Sequence, residues 1–200
     1  MYGSRITSEE KSTLSMYIGV TIAVMLAAGA VYFFFLAQKE KKETRGFDPN
    51  RPVPSDAVLK HRLKAEEYFV VREGGTQTPF QNEFWNKDRT GIYVDVITGE
   101  PLFTSLDKFD SGLGLPAFSK PISKDLLLEK LDTSHDMQRT ELRAKRSNAH
   151  LGYLFPDPKS ATGQNYSVYS AAFHFIPIER MKGDGYGAFL ALVEKKPATP

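Results

Sequence analysis

A mainly β domain preceded by one transmembrane α-helix is what three features of this 200-residue chain predict. The first is an uninterrupted charge-free run, Leu14 to Ala37, reading LSMYIGVTIAVMLAAGAVYFFFLA. The second is a series of short β-branched and aromatic segments punctuated by Gly and Pro. The third is the scarcity of helical apolar periodicity beyond the run. Composition narrows the chemistry further. With 26 basic and 24 acidic residues the formal charge is only +2, so no general nucleic-acid electrostatics are implied. Aromatic content of 12% excludes full disorder. Cysteine is absent, which removes disulfides, thiolate nucleophiles, zinc–thiolate sites and iron–sulfur clusters.

In chain order, residues 1–13 form a short tail and 14–37 the membrane helix. At about 1.5 Å per residue the run spans a hydrocarbon core of roughly 30 Å. It is longer than a secretory signal's apolar region, and it ends in Tyr32-Phe33-Phe34-Phe35 rather than at a cleavage site. Lys39, Lys41, Lys42 and Arg45 crowd its carboxyl flank, against Arg5 and Lys11 before it. The positive-inside rule then places the following domain on the matrix or cytoplasmic side of a mitochondrial or bacterial inner membrane. Gly19, Ala23, Ala27 and Ala30 line one face with small side chains, the kind of face that packs against another membrane helix.

Residues 38–66 read as a charged, Pro-rich linker and a short helix, with Ser55-Asp56 capping a turn that runs to about Glu67. Residues 67–190 read as the β domain and 191–200 as a tail. Expected strands are Ile92–Ile97, Pro101–Ser105, Arg139–Ala144 and His150–Phe155, with Tyr166–Ile176 as a bulged strand. Ser123–Leu131 (SKDLLLEKL) reads as a short helix. The basic run Arg143-Ala144-Lys145-Arg146 reads as a solvated face. His61, His135 and His174 have no mutual metal-ligand spacing, and neither metal nor cofactor is expected.

Six segments carry a resemblance. They are GGTQTPFQNEFW (74–85), GIYVDVITGEPLFTSLDKFDSG (91–112), PAFSKPI (116–122), MQRTELRAKRSNAHLGYLFPD (137–157), YSVYSAAFHFIP (166–177) and GYGAFL (185–190). In order and spacing they resemble the type B methionine sulfoxide reductases, which reduce the R epimer of methionine sulfoxide. The resemblance implies two antiparallel sheets around a bent β core with small helices. It also marks what is missing. The family's nucleophilic cysteine maps onto Ser167, its nearby arginine onto Asn165 and its site asparagine onto Tyr169. The resolving cysteine and the tryptophan map onto Leu113 and Leu115. Of two site histidines, His150 is kept and the other is Tyr153. The zinc-type C-x-x-C position holds Asp95 and Thr98.

Sulfoxide reduction needs a thiolate that attacks sulfur and passes through a sulfenic acid, and a serine hydroxyl has no such redox ladder. The sequence therefore reads as a pseudoenzyme. Tyr153, Tyr169, Leu113 and Leu115 are expected to fill the former substrate pocket. A serine hydrolase built on Ser167 and His150 lacks the G-x-S-x-G elbow. The expected role is an accessory subunit of a larger inner-membrane complex (respiratory, ATP-synthesising or photosynthetic), its partners being other membrane-protein subunits. The alternatives are a membrane-tethered methionine-(R)-sulfoxide reductase using a thiol from elsewhere, or a module that binds methionine sulfoxide without turnover.

Overall fold

A computed structural model describes residues 17–18, 21–34 and 46–194, in two compact units, Met1–Arg45 and Gly46–Pro200. In the first unit, residues 17–18 and 21–34 are helical, and every one of them is exposed. Among the described residues no helix is long and apolar enough to cross a membrane. The remainder of the expected span, Gly19 included, lies outside the described residues. Ala23, Ala27 and Ala30 do lie on the described helix.

The second unit begins with two short helices, α1 (Asp56–Arg62) and α2 (Ala65–Glu73). The single helix expected from Ser55 to Glu67 is thus broken. Leu63 and Lys64 are extended, and Glu67 folds back to accept the Lys64 N–H at 2.9 Å, starting a new helix. Ser55 occupies the cap position of α1 without a side-chain bond. Leu59, Leu63, Val70 and Val71 bury the inner faces of both helices in the main apolar cluster.

Nine strands follow: β1 (Gly91–Asp95), β2 (Pro101–Thr104), β3 (Lys108–Phe109), β4 (Ala117–Phe118), β5 (Leu127–Asp132), β6 (Arg139–Ala144), β7 (His150–Pro156), β8 (Gln164–Val168) and β9 (Phe173–Pro177). They form two antiparallel sheets, β2-β1-β9 and β3-β4-β8-β7-β6-β5. A short helix α3 (Ile178–Met181) and a 3-10 segment (Gly187–Leu192) close the unit.

Alternation explains why β1 is buried at all five positions. Tyr93 enters the main cluster with Phe103, Phe118 and Phe173, while Ile92 and Val94 join Met181, Tyr186 and Val193 in a second cluster. The aromatic rings of the main cluster interlock, with Phe103 stacked on Phe118 at 4.6 Å and Tyr93 edge-on to Phe118 at 4.9 Å.

Two further expectations are corrected. Ser123–Leu131 is not a helix but a 3-10 turn (Lys124–Leu126) leading into β5. All six residues of β5 pair with β6, so cross-strand pairing overrides a helix-favouring composition. Tyr166–Ile176 is not one strand. Tyr169 leads into a 3-10 turn, Ser170–Ala172, that carries the chain from β8 in the large sheet to β9 in the small one.

Candidate functional site

The strand register assembles the site. Ser167 on β8 lies opposite Tyr153 on β7, Tyr153 is opposite Glu141 on β6, and Asp132 on β5 is opposite Arg139 on β6. Directly opposed residues share a face of the sheet. The alternating Tyr166, Val168 and Leu142 belong to the main apolar cluster, and half-buried Tyr153 packs against it from the polar row. Gly152 lets β7 and β8 approach here. Its φ is +145°, and a Cβ added to it would stand 2.2 Å from the Ser167 carbonyl oxygen.

Ser167 is only 4% exposed, and Asn165, two residues before it, 1%. Asn165 donates Nδ2 to Asp157 at 3.1 Å, leaving Oδ1 buried without a partner. His150 is 2% exposed, with Nδ1 2.7 Å from Glu141 Oε1. An ionised carboxylate only accepts, so Nδ1 carries the proton and Nε2 is the bare acceptor in the neutral ring. That Nε2 is buried and has no partner, so no hydrogen bond joins it to Ser167. Burial depresses the imidazole's proton affinity below its ordinary value, against the opposing pull of Glu141. Glu141 is shared with Arg143 at 2.6 Å.

Tyr153 donates its hydroxyl to Asp132 at 3.0 Å and lies under the Arg139 guanidinium, 4.2 Å from ring centroid to Cζ. Desolvation, reinforced by the Asp132 bond, pushes the Tyr153 hydroxyl up to about 12. Asp132 is held well below the usual carboxylate range, first by its bonds to Ser134 and then by Tyr153 and Arg139. Tyr169 is buried in the main cluster, its ring 5.6 Å from that of His150, and Tyr153 lies 5.5 Å away from the same ring.

The two tyrosines thus crowd the histidine, and half-buried Leu115 packs against the core. Leu113 does not fill the pocket. It is 52% exposed, in a tight loop between Gly112 (φ +79°) and Gly114 (φ +71°) that leaves it at the surface. The Asp95–Thr98 turn is closed by its own atoms. Thr98 Oγ1 donates to Asp95 Oδ2 at 2.7 Å, and the Ile97 N–H donates to Oδ1 at 3.0 Å. Both carboxylate oxygens are therefore occupied within the turn. Among the described residues no group of three or more His, Asp or Glu could hold a metal.

A sequence model described as the SelR domain matches residues 63–177, more than half of the chain. The chain belongs to the SelR, or methionine sulfoxide reductase B, family. Within that SelR domain, Ser167 stands on β8 where the resemblance places the nucleophilic thiol, and the 200 residues contain no cysteine.

The sequence analysis missed the charged partners Asp132, Arg139, Glu141 and Asp157. Arg139, Glu141 and Arg143 alternate along β6, a period-of-two signal that marks one face of a strand. The basic run was also misjudged. Arg143 is tied to Glu141 and to Asn148, and Arg146 donates to the carbonyls of Asp48 and Arg51 while lying over the Phe47 ring. Only Lys145 of the three cations is fully at the surface.

Proposed function

We propose that this SelR-domain chain is a catalytically inactive, single-pass membrane protein that serves as an accessory subunit of an inner-membrane complex. One observation carries the inactivity: a serine, which has no redox chemistry, stands where the resemblance puts the thiol, and the buried Nε2 of His150 bonds to nothing. Attack on a sulfoxide sulfur, and the sulfenic acid that would follow, have no atom here to carry them. The charged groups around it pair with one another instead: Arg139 with Asp132, Tyr153 with Asp132, and Glu141 with both Arg143 and His150. That is the arrangement of a domain retained for its shape.

The membrane part of the reading rests on the charge-free run 14–37 and on its described helix, which exposes Met25, Leu26 and Phe33 at 70–76%. An all-round apolar helix needs an apolar environment, and lipid or neighbouring helices supply one. The accessory role rests on the small-residue face at Ala23, Ala27 and Ala30.

Two measurements test this. The purified chain is incubated with methionine (R)-sulfoxide and dithiothreitol; no methionine forms if the reading holds, and turnover that scales with protein overturns it. Extraction in mild detergent is expected to yield the chain in a stoichiometric complex, and a chain that always emerges alone overturns the accessory role.

A further inference from the structure

We propose that the free edge of β9 is a docking strand for an extended, acidic segment of a partner protein. The inference rests on the accessory-subunit reading for the existence of a partner, and on the small sheet for everything else. In the order β2-β1-β9, strand β9 has a neighbour on one side only. The Ile178 and Val96 amides bond to the carbonyls of Thr90 and Ala172 across the two ends of the β1–β9 ladder. Antiparallel pairing alternates, so His174 and Ile176 turn their backbone groups to β1, and Phe175 turns its N–H and C=O away from it. An outward backbone pair of that kind is what an added strand bonds to.

The other edges are managed. The outer side of β2 is occupied, since Leu102 accepts the Ile122 N–H at 2.8 Å. Strand β3 has only two residues. Strand β5 carries Glu129, Lys130 and Asp132, charges that discourage pairing with another chain. Strand β9 carries no Lys, Arg, Asp or Glu, and its one such device among the described residues is Pro177 at its carboxyl end. Instead a groove of about 540 Å³ runs along it, walled by His174–Pro177 on one side and by Lys87, Arg89 and Arg180 among its other residues.

Charge selects the occupant. Three cations line this groove against one carboxylate, Glu83. Lys87 and Arg89 have exposed partners, Glu83 at 2.7 Å and Glu179 at 3.6 Å, while Arg180 pairs with half-buried Asp184 at 2.7 Å. Exposed pairs hold weakly, so carboxylates of an incoming strand can take over the guanidinium groups. Phe175 supplies an aromatic floor with Arg89 over its ring at 6.0 Å, which suits apolar side chains on alternate positions of the same strand.

The test uses the full chain in detergent micelles and two labelled eight-residue peptides, one alternating Val and Glu, the other Val and Lys. The Val-Glu peptide is expected to bind saturably, more weakly as salt rises, and to slow hydrogen exchange at the Phe175 amide. Combining Arg89→Glu with Arg180→Glu, both at the surface, is expected to weaken that binding by about tenfold or more and to shift preference to the Val-Lys peptide. Equal binding of the two peptides, unchanged exchange at Phe175, or capture of anionic vesicles in place of peptide would overturn the proposal. Peptide binding by a chain that never co-purifies with another protein keeps the docking strand and removes the accessory role. A co-purifying partner that survives the double charge reversal does the opposite.

Discussion

Gly152→Ala places a methyl group where β7 meets the backbone of Ser167, and the structure fixes how badly it fits. The new Cβ would lie 2.2 Å from the Ser167 carbonyl oxygen and 2.8 Å from Val168 Cα, both backbone atoms that no rotamer change can move aside. The strands must part by about an ångström, and overpacking of this kind costs roughly 1–3 kcal/mol. The φ of +145° adds strain of order 1–3 kcal/mol for a residue with a side chain. Together these remove about 2–6 kcal/mol from a total of roughly 5–15 kcal/mol. Gly163→Ala is the control, because it sits at φ +73° with nothing within 4 Å of the added carbon. It should cost only the left-handed backbone penalty, about 1–2 kcal/mol. Urea unfolding followed through the single tryptophan, Trp85, reads both. With a slope of about 1–3 kcal/mol per molar urea, Gly152→Ala should lower the midpoint by about 1 M or more, and clearly further than Gly163→Ala. Equal midpoints for the two variants at unchanged slope would refute the close-approach argument.

Ser167→Cys alone is expected to produce no turnover of methionine (R)-sulfoxide, because Asn165, Tyr169, Leu115 and Tyr153 still occupy the family's other site positions; chromatographic assay of methionine checks it. His150 gives a pH signature: burial lowers its folded proton affinity, so the unfolded chain binds more protons as pH falls. Stability is complete above the unfolded value near 6.5 and declines below it by at most about 1.4 kcal/mol per pH unit, levelling off once pH is below the folded value. His150→Phe should flatten that slope between pH 7 and 5 in unfolding titrations. Arg146→Ala should remove two charged bonds to the Asp48 and Arg51 carbonyls, costing about 2–3 kcal/mol, which a lowered midpoint in urea unfolding checks.

Local signals made some elements legible and left others dark. Ile92, Val94 and Val96 are β-branched and end at a Thr-Gly turn, so β1 could be read within two residues. Strand β5 could not, because LLLEKL suits a helix locally and its register is set by pairing with β6, from Asp132 with Arg139 out to Leu127 with Ala144. The break between α1 and α2 turns on Glu67 reaching back to Lys64, a bond that apolar periodicity does not encode. At the site, the motif positions pointed to Ser167, His150 and Tyr153, which lie on the adjacent strands β8 and β7. Asp132 and Glu141, which bond to Tyr153 and His150, became apparent only once the register set strands side by side. Leu113 was misplaced because volume was considered without the two glycines that steer its loop.

Strand β8 carries one last implication. Tyr166 and Val168 anchor the interior while Asn165 and Ser167 alternate with them, so each second letter of this ribbon can change while the letters between keep the core. A catalyst drawn on such a ribbon can be erased one character at a time while the architecture beneath it persists, ready to be put to another use.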